Sequence, residues 1–171
     1  MKPEYLMLHH SATSHSKNSD QFKAINKYHK NLWDFKSKLG FYVGYNWVIS
    51  SKGRVRQSRL DGNQTAACYQ KDMNDGRCIH ICLDGNFDIE KPKPEQIYAL
   101  RDLIIDLVAK YKIKKQNILA HNQYANKTCP GINLDMEFVR RLAPGLIKED
   151  DKKEKLFKKI DELKDIINEI L

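Results

Sequence analysis

The segment from Pro92 to Tyr111 places the strongest constraint on what this chain can fold into. Pro92 and Pro94 open it, and Ile97, Leu100, Ile104, Leu107, Val108 and Tyr111 then share one helical stripe between Glu95 and Tyr111. A stripe that wide needs a second apolar surface to lie against. Short apolar runs elsewhere supply it. Tyr5 to His9 is a continuous run closed by Ser11 and Thr13, and Arg77 to Leu83 and Ile118 to Ala120 are of the same kind. Phe41 to Ser50, with Tyr42, Tyr45, Trp47, Val48 and Ile49, also favours sheet. The turn Ser51-Lys52-Gly53 returns it to Arg54–Arg59 as a hairpin partner. Leu60 to Asn74 reads as a polar loop.

Two further helices are predicted. Asn18-Ser19-Asp20 offers caps for one carrying Phe22, Ile25, His29 and Leu32, with Trp33 beside them. Leu134 to Leu142 forms the other, stopped by Pro144-Gly145. Helices alternating with strands and one hairpin define the class as α/β (α+β): a central mixed β-sheet flanked by helices. The domain is read as residues 1–145. Residues 146–171 form a separate C-terminal amphipathic helix, in which Leu156, Ile160, Leu163, Ile167 and Ile170 are spaced 4, 3, 4, 3. That heptad seam suits a coiled coil and a homo-oligomer. Phe157, Ile166 and Leu171 widen the stripe, so packing of the helix on its own domain is the alternative.

Charge divides along the same boundary. Residues 1–144 hold 23 Lys and Arg against 14 Asp and Glu, whereas residues 145–171 hold 7 against 8. A basic domain suits a polyanionic surface such as an anionic cell wall. Its lysines are scattered and not interleaved with aromatics, so no nucleic-acid partner is expected. No run approaches a transmembrane segment. The N-terminal apolar run is too short for a signal peptide, which implies synthesis in the cytoplasm and export, if any, by a separate route. Cys68, Cys78, Cys82 and Cys129 lack zinc-finger spacing and are expected as free thiols, the first three as small buried hydrophobes.

Chemistry-bearing residues stand at the ends of the predicted strands. His9 closes the first apolar run, with His10 pointing to the opposite face, and His121 follows Ile118-Leu119-Ala120. Cys129 comes eight residues later, with Lys127 just before it. Two His and one Cys would leave a tetrahedral zinc one open position for water. A nearby Tyr can orient that water, and a nearby Lys can stabilise an oxyanion. Exchange of His9 for His10 as ligand is the alternative assignment. His29, on an apolar stripe, is read as a packed, hydrogen-bonded core residue.

Five local words occur in order: Leu8-His9-His10-Ser11-Ala12-Thr13, Gly44-Tyr45-Asn46-Trp47-Val48-Ile49, Ile81-Cys82-Leu83-Asp84-Gly85-Asn86-Phe87, Ala120-His121, and Lys127-Thr128-Cys129-Pro130-Gly131. Together they closely resemble the zinc-dependent N-acetylmuramoyl-L-alanine amidases of the type-2 amidase and peptidoglycan-recognition-protein family, especially the short phage endolysins. The resemblance runs from about Tyr5 to Leu142. It implies a mixed sheet with a zinc cleft on one face, bacterial peptidoglycan as partner, and Zn2+ held by His9, His121 and Cys129. Tyr45 and Lys127 match the family's catalytic positions. The implied reaction hydrolyses the amide between the lactyl group of N-acetylmuramic acid and L-alanine, on the cell wall after release. Members that only bind peptidoglycan typically lack the Cys, so Cys129 favours catalysis.

Two departures stand out. Many relatives carry a His where this chain reads Thr65-Ala66-Ala67-Cys68-Tyr69, and relatives tend to have Gly in place of His80. His80 is read as a core residue, with a place on the cleft as the alternative. Competing functions are a non-catalytic peptidoglycan-binding module and a cytoplasmic amidase recycling anhydro-muropeptides. An unrelated zinc protease is disfavoured, since no His-Glu-x-x-His word appears.

Overall fold

The computed structural model describes residues 1–15 and 20–143. The C-terminal helix read over residues 146–171 lies outside the described residues, as do Pro144 and Gly145. Among the described residues, five strands form one sheet: β1 (Tyr5–His10), β2 (Trp47–Ile49), β3 (Val55–Gln57), β4 (Cys78–Leu83) and β5 (Ile118–Ala120), ordered β3-β2-β4-β1-β5. β2, β4, β1 and β5 run parallel, and β3 closes the edge antiparallel to β2. The helices are α1 (Phe22–Trp33), α2 (Pro94–Tyr111) and α3 (Met136–Leu142). The architecture is therefore the expected mixed sheet with flanking helices.

Alternation along the strands sorts the two faces. Leu6, Leu8, Ile79, Ile81, Leu83 and Ile49 point to one side, where they pack on Leu100, Ile104, Leu107 and Val108 of α2 and Val139 of α3. This is the surface that the stripe of α2 required. The opposite face carries two smaller clusters instead. Met7, Met73, Cys78 and Leu119 form one, and Phe22, Val43, Val48 and Cys82 form the other. His80 lies between Cys78 and Cys82 on β4, so the two clusters are separated by imidazole rather than hydrocarbon.

The strand expected over Phe41–Ser50 is shorter, and the reason is local. A Cβ on Gly44 would meet the Ala66 carbonyl oxygen at 2.5 Å and the Trp33 ring at 2.9 Å. Only glycine permits that approach, and it draws residues 41–46 out of the ladder and against the 65–68 loop. Asn46 then joins the segment to the sheet: its N–H donates to the His80 carbonyl (3.0 Å), and its side-chain oxygen accepts from His80 N–H (2.8 Å). Arg59, read from sequence as part of an ordinary hairpin strand, is buried. Its guanidinium donates to the Val43, Phe35 and Gln64 carbonyls and covers the Phe35 ring at 4.3 Å. Desolvation lowers its pKa to about 10, so the group remains a cation at neutral pH. The segment bearing Tyr45 is thus held from both sides.

Candidate metal centre and cleft

β1 and β5 pair with Leu8 opposite Ala120, so the next residues, His9 and His121, come level on the half-open face of the sheet. Their rings lie 4.4 Å apart. Beyond the 3-10 turn His121–Gln123, the chain returns to place Cys129 beside them. Asn122 N–H donates to the Cys129 carbonyl (2.7 Å), and Thr128 Oγ1 donates to Asp88 (2.7 Å). Gly131, at φ 99°, lies so close to Phe87 that a Cβ would meet its carbonyl carbon at 2.5 Å. The Cys loop is therefore clamped to the turn after β4.

The ligand atoms of His9, His121 and Cys129 lie within 4.8 Å of one another, and all three residues are buried. His9 Nδ1 faces Cys129 Sγ at 3.8 Å. Among the described residues, His121 Nδ1 is buried without a hydrogen-bond partner. An orphaned imidazole nitrogen is costly unless something is meant to meet it. A cation among these three atoms would satisfy it, and a donor set of two imidazole nitrogens and one sulfur suits a borderline-soft ion. His10 does not join the group. Its ring sits on the other face, where Nδ1 accepts from Phe87 N–H (3.1 Å), while its backbone N–H reaches Cys129 Sγ (3.4 Å). His9 and His10 therefore face opposite sides, as the alternation along β1 implies, and the convergent group contains His9 and not the alternative His10.

Tyr45 packs against the His9 ring with centroids 5.0 Å apart. Burial, reinforced by Cys82 and Cys129, raises its pKa well above the usual value, so it is a phenol O–H donor at neutral pH. Lys127 is exposed on the rim, close enough to His9 and His121 to disfavour their charged forms. A cleft of about 590 Å³ opens over this group, lined by Trp33, Tyr45, Tyr69, His121 and Lys127 among others. A second cavity of about 570 Å³ along α1 shares Tyr28, His29 and Tyr45 with it. His29 is buried and accepts from Gly44 N–H (2.9 Å), as a packed core His should, yet it also lines both cavities. Cys78 and Cys82 are buried and free, while Cys68 is only half-buried on the cleft wall, not the fully buried residue expected.

His80 is the site residue whose place the sequence left open. It is fully buried, and its Nδ1 lies 2.9 Å from His9 Nε2. The alternation of β4 shows which face His80 occupies, but only the register with β1 shows that it meets His9.

Burial holds His29, His80 and His121 each at a pKa of about 4, below the ordinary 6.5, with Arg59 beside His29 and Lys127 beside His121 adding to the effect. The folded state stays neutral at these sites while the unfolded chain takes up protons. Their stabilisation is therefore complete above pH 6.5 and lost as pH falls toward 4, by roughly 3 kcal/mol each at full effect. Asp84, raised to about 6 by burial, works in the opposite sense over pH 6 to 4 and offsets about one of the three. Metal-free protein should accordingly show a steep fall in denaturant midpoint between pH 6.5 and 4; a flat profile would mean that these imidazoles titrate normally.

A mixed sheet bearing a buried His, His and Cys group beneath an open cleft defines an α+β domain with a candidate metal centre. The sequence profile of the N-acetylmuramoyl-L-alanine amidase family (Amidase_2) matches residues 1–132, and the chain belongs to that family. The endolysin of Escherichia phage T7 is 31% identical over 136 residues, covering 75% of this chain and 81% of that protein. The endolysin of Enterobacteria phage T3 is 31% identical over 138 residues, covering 77% and 82%. Among solved structures, the N-acetylmuramoyl-L-alanine amidase LysC from Clostridium intestinale superposes with TM-score 0.68 at 24% identity, covering 82% of this chain and 85% of that one. Drosophila peptidoglycan recognition protein SD superposes at 0.65 with 20% identity, covering 80% and 79%, and so shares the fold. No helix among the described residues is long and apolar enough to cross a membrane.

Proposed function

We propose that the chain is a peptidoglycan hydrolase, an endolysin-type N-acetylmuramoyl-L-alanine amidase that cuts the amide between the lactyl group of N-acetylmuramic acid and L-alanine. The observation that carries this is the convergence of His9, His121 and Cys129 beneath an open cleft, in a chain matched by the amidase profile. The three residues would hold Zn2+, which when bound supplies Lewis acidity and a source of hydroxide at neutral pH.

The remaining work falls to the chain's own groups. Burial keeps Cys129 as a thiol, with its pKa pushed up to about 11, so the thiolate forms only when a cation is there to meet it. His9 and His121 are held neutral, which leaves their lone pairs free as ligands. The Tyr45 hydroxyl orients the attacking water against the scissile carbonyl. Lys127, on the rim, stabilises negative charge developing on the carbonyl oxygen. The apolar cleft wall around Trp33 seats the substrate and restricts water.

The experiment is metal removal and return. Chelator-treated protein should lose lysis of purified peptidoglycan, and one equivalent of zinc should restore it. Full activity after rigorous chelation would overturn the reading.

A further inference from the structure

We infer that His80 is a positioning residue that holds the His9 ring in the one tautomer and orientation able to present Nδ1 to a metal. A chain of hydrogen bonds runs inward from the polar loop to His9. The Met73 carbonyl lies 2.8 Å from His80 Nε2. A carbonyl can only accept, so the proton is on Nε2. His80 Nδ1 then faces His9 Nε2 at 2.9 Å, and one hydrogen lies between two nitrogens. Carried by His9 Nε2, it leaves His9 Nδ1 bare, and that is the atom turned toward Cys129 Sγ. Each link thus sets the next, from a backbone oxygen to a lone pair.

The chain is well anchored. His80 is fully buried, and its backbone is fixed by two bonds to Asn46. Met73 sits in the 3-10 turn Lys71–Met73, capped by Asn74. The Asn74 side chain accepts from Ala67 N–H (3.0 Å) and Cys68 N–H (3.1 Å) and donates to the Cys68 carbonyl (2.5 Å), which keeps the turn in place. A ligand His whose second nitrogen is bonded to a fixed acceptor is a better metal ligand, and loss of such a partner typically costs about 10- to 100-fold in affinity. A glycine at position 80 could offer His9 no such acceptor.

The inference rests on the reading of His9 as a zinc ligand, so its test includes a measurement made without metal. In the full-length, metal-free protein, long-range imidazole proton–nitrogen spectra should show both His80 and His9 protonated at Nε2 and bare at Nδ1. A proton on His9 Nδ1 overturns the inference whether or not zinc binds. Zinc affinity by chelator competition gives the second readout. His80→Leu keeps the volume but removes the acceptor, and should weaken zinc about 10- to 100-fold. His80→Asn places a carbonyl oxygen near the Nδ1 position and should recover most of that loss. A folded His80→Leu protein that binds zinc as tightly as the parent refutes the role. Should His80→Leu fail to fold, the spectra of the unaltered protein decide.

Discussion

Cys129→Ala protein should retain its fold, lose its zinc and show no measurable release of stem peptide. Under the proposed ligation three residues share the metal; zinc sites of four ligands are worth roughly 10–16 kcal/mol in all, so one ligand would contribute about 2.5–4 kcal/mol, or about 10²–10³ in affinity. Cys129 makes few other commitments. Its sulfur accepts one backbone N–H, from His10, and faces His9. Its removal should therefore leave the melting transition of the metal-free protein within a few degrees of the parent. Cys129→Ser tests the same point with the volume preserved, since a neutral hydroxyl replaces the soft thiolate. Zinc content by atomic absorption, read beside activity and melting temperature, is the measurement. A Cys129→Ala protein that still holds stoichiometric zinc would place the metal elsewhere.

Tyr45→Phe and Lys127→Ala should behave in the opposite way, keeping zinc and losing turnover. Neither side chain belongs to the convergent His, His and Cys group. Loss of a positioned proton-handling group costs about 10²–10⁴ in rate, and loss of one oxyanion donor about 10²–10³. Tyr45→Phe changes one oxygen beside the His9 ring and should barely alter stability. Lys127 is on the exposed rim, so its replacement should also be structurally mild. Zinc content and single-turnover rates on defined muropeptides separate the two effects. Full activity in Tyr45→Phe would remove the hydroxyl from the mechanism.

The parts of the site that were readable from sequence share one property: they depend on local pattern. His9 and His121 end short apolar runs, and strand ends on an open sheet face are where side chains reach a cleft. Cys129 and Lys127 fall within one word of the chain. What could not be read depends on relations between distant segments. Face alternation places His80 with Cys78 and Cys82, but its contact with His9 follows from the parallel register that sets Met7 opposite His80 and His9 opposite Cys82. The early end of the Phe41–Ser50 strand follows from Gly44 packing on the Ala66 carbonyl, a contact between segments well separated in sequence. The sequence reads Arg59 only as the end of a hairpin strand, because nothing local reveals that three backbone carbonyls converge on it. The fold class was legible because apolar periodicity alone sorts α2 from the strands it covers.

Mass spectrometry of peptidoglycan digested with and without chelator identifies both the scissile bond and its dependence on metal. An amidase should release free stem peptides with an N-terminal L-alanine and leave the glycan strands intact, and that release should be lost on chelation and restored by zinc. Shortened glycan or cut cross-links would place the scissile bond elsewhere, and intact wall with bound protein would contradict catalysis altogether.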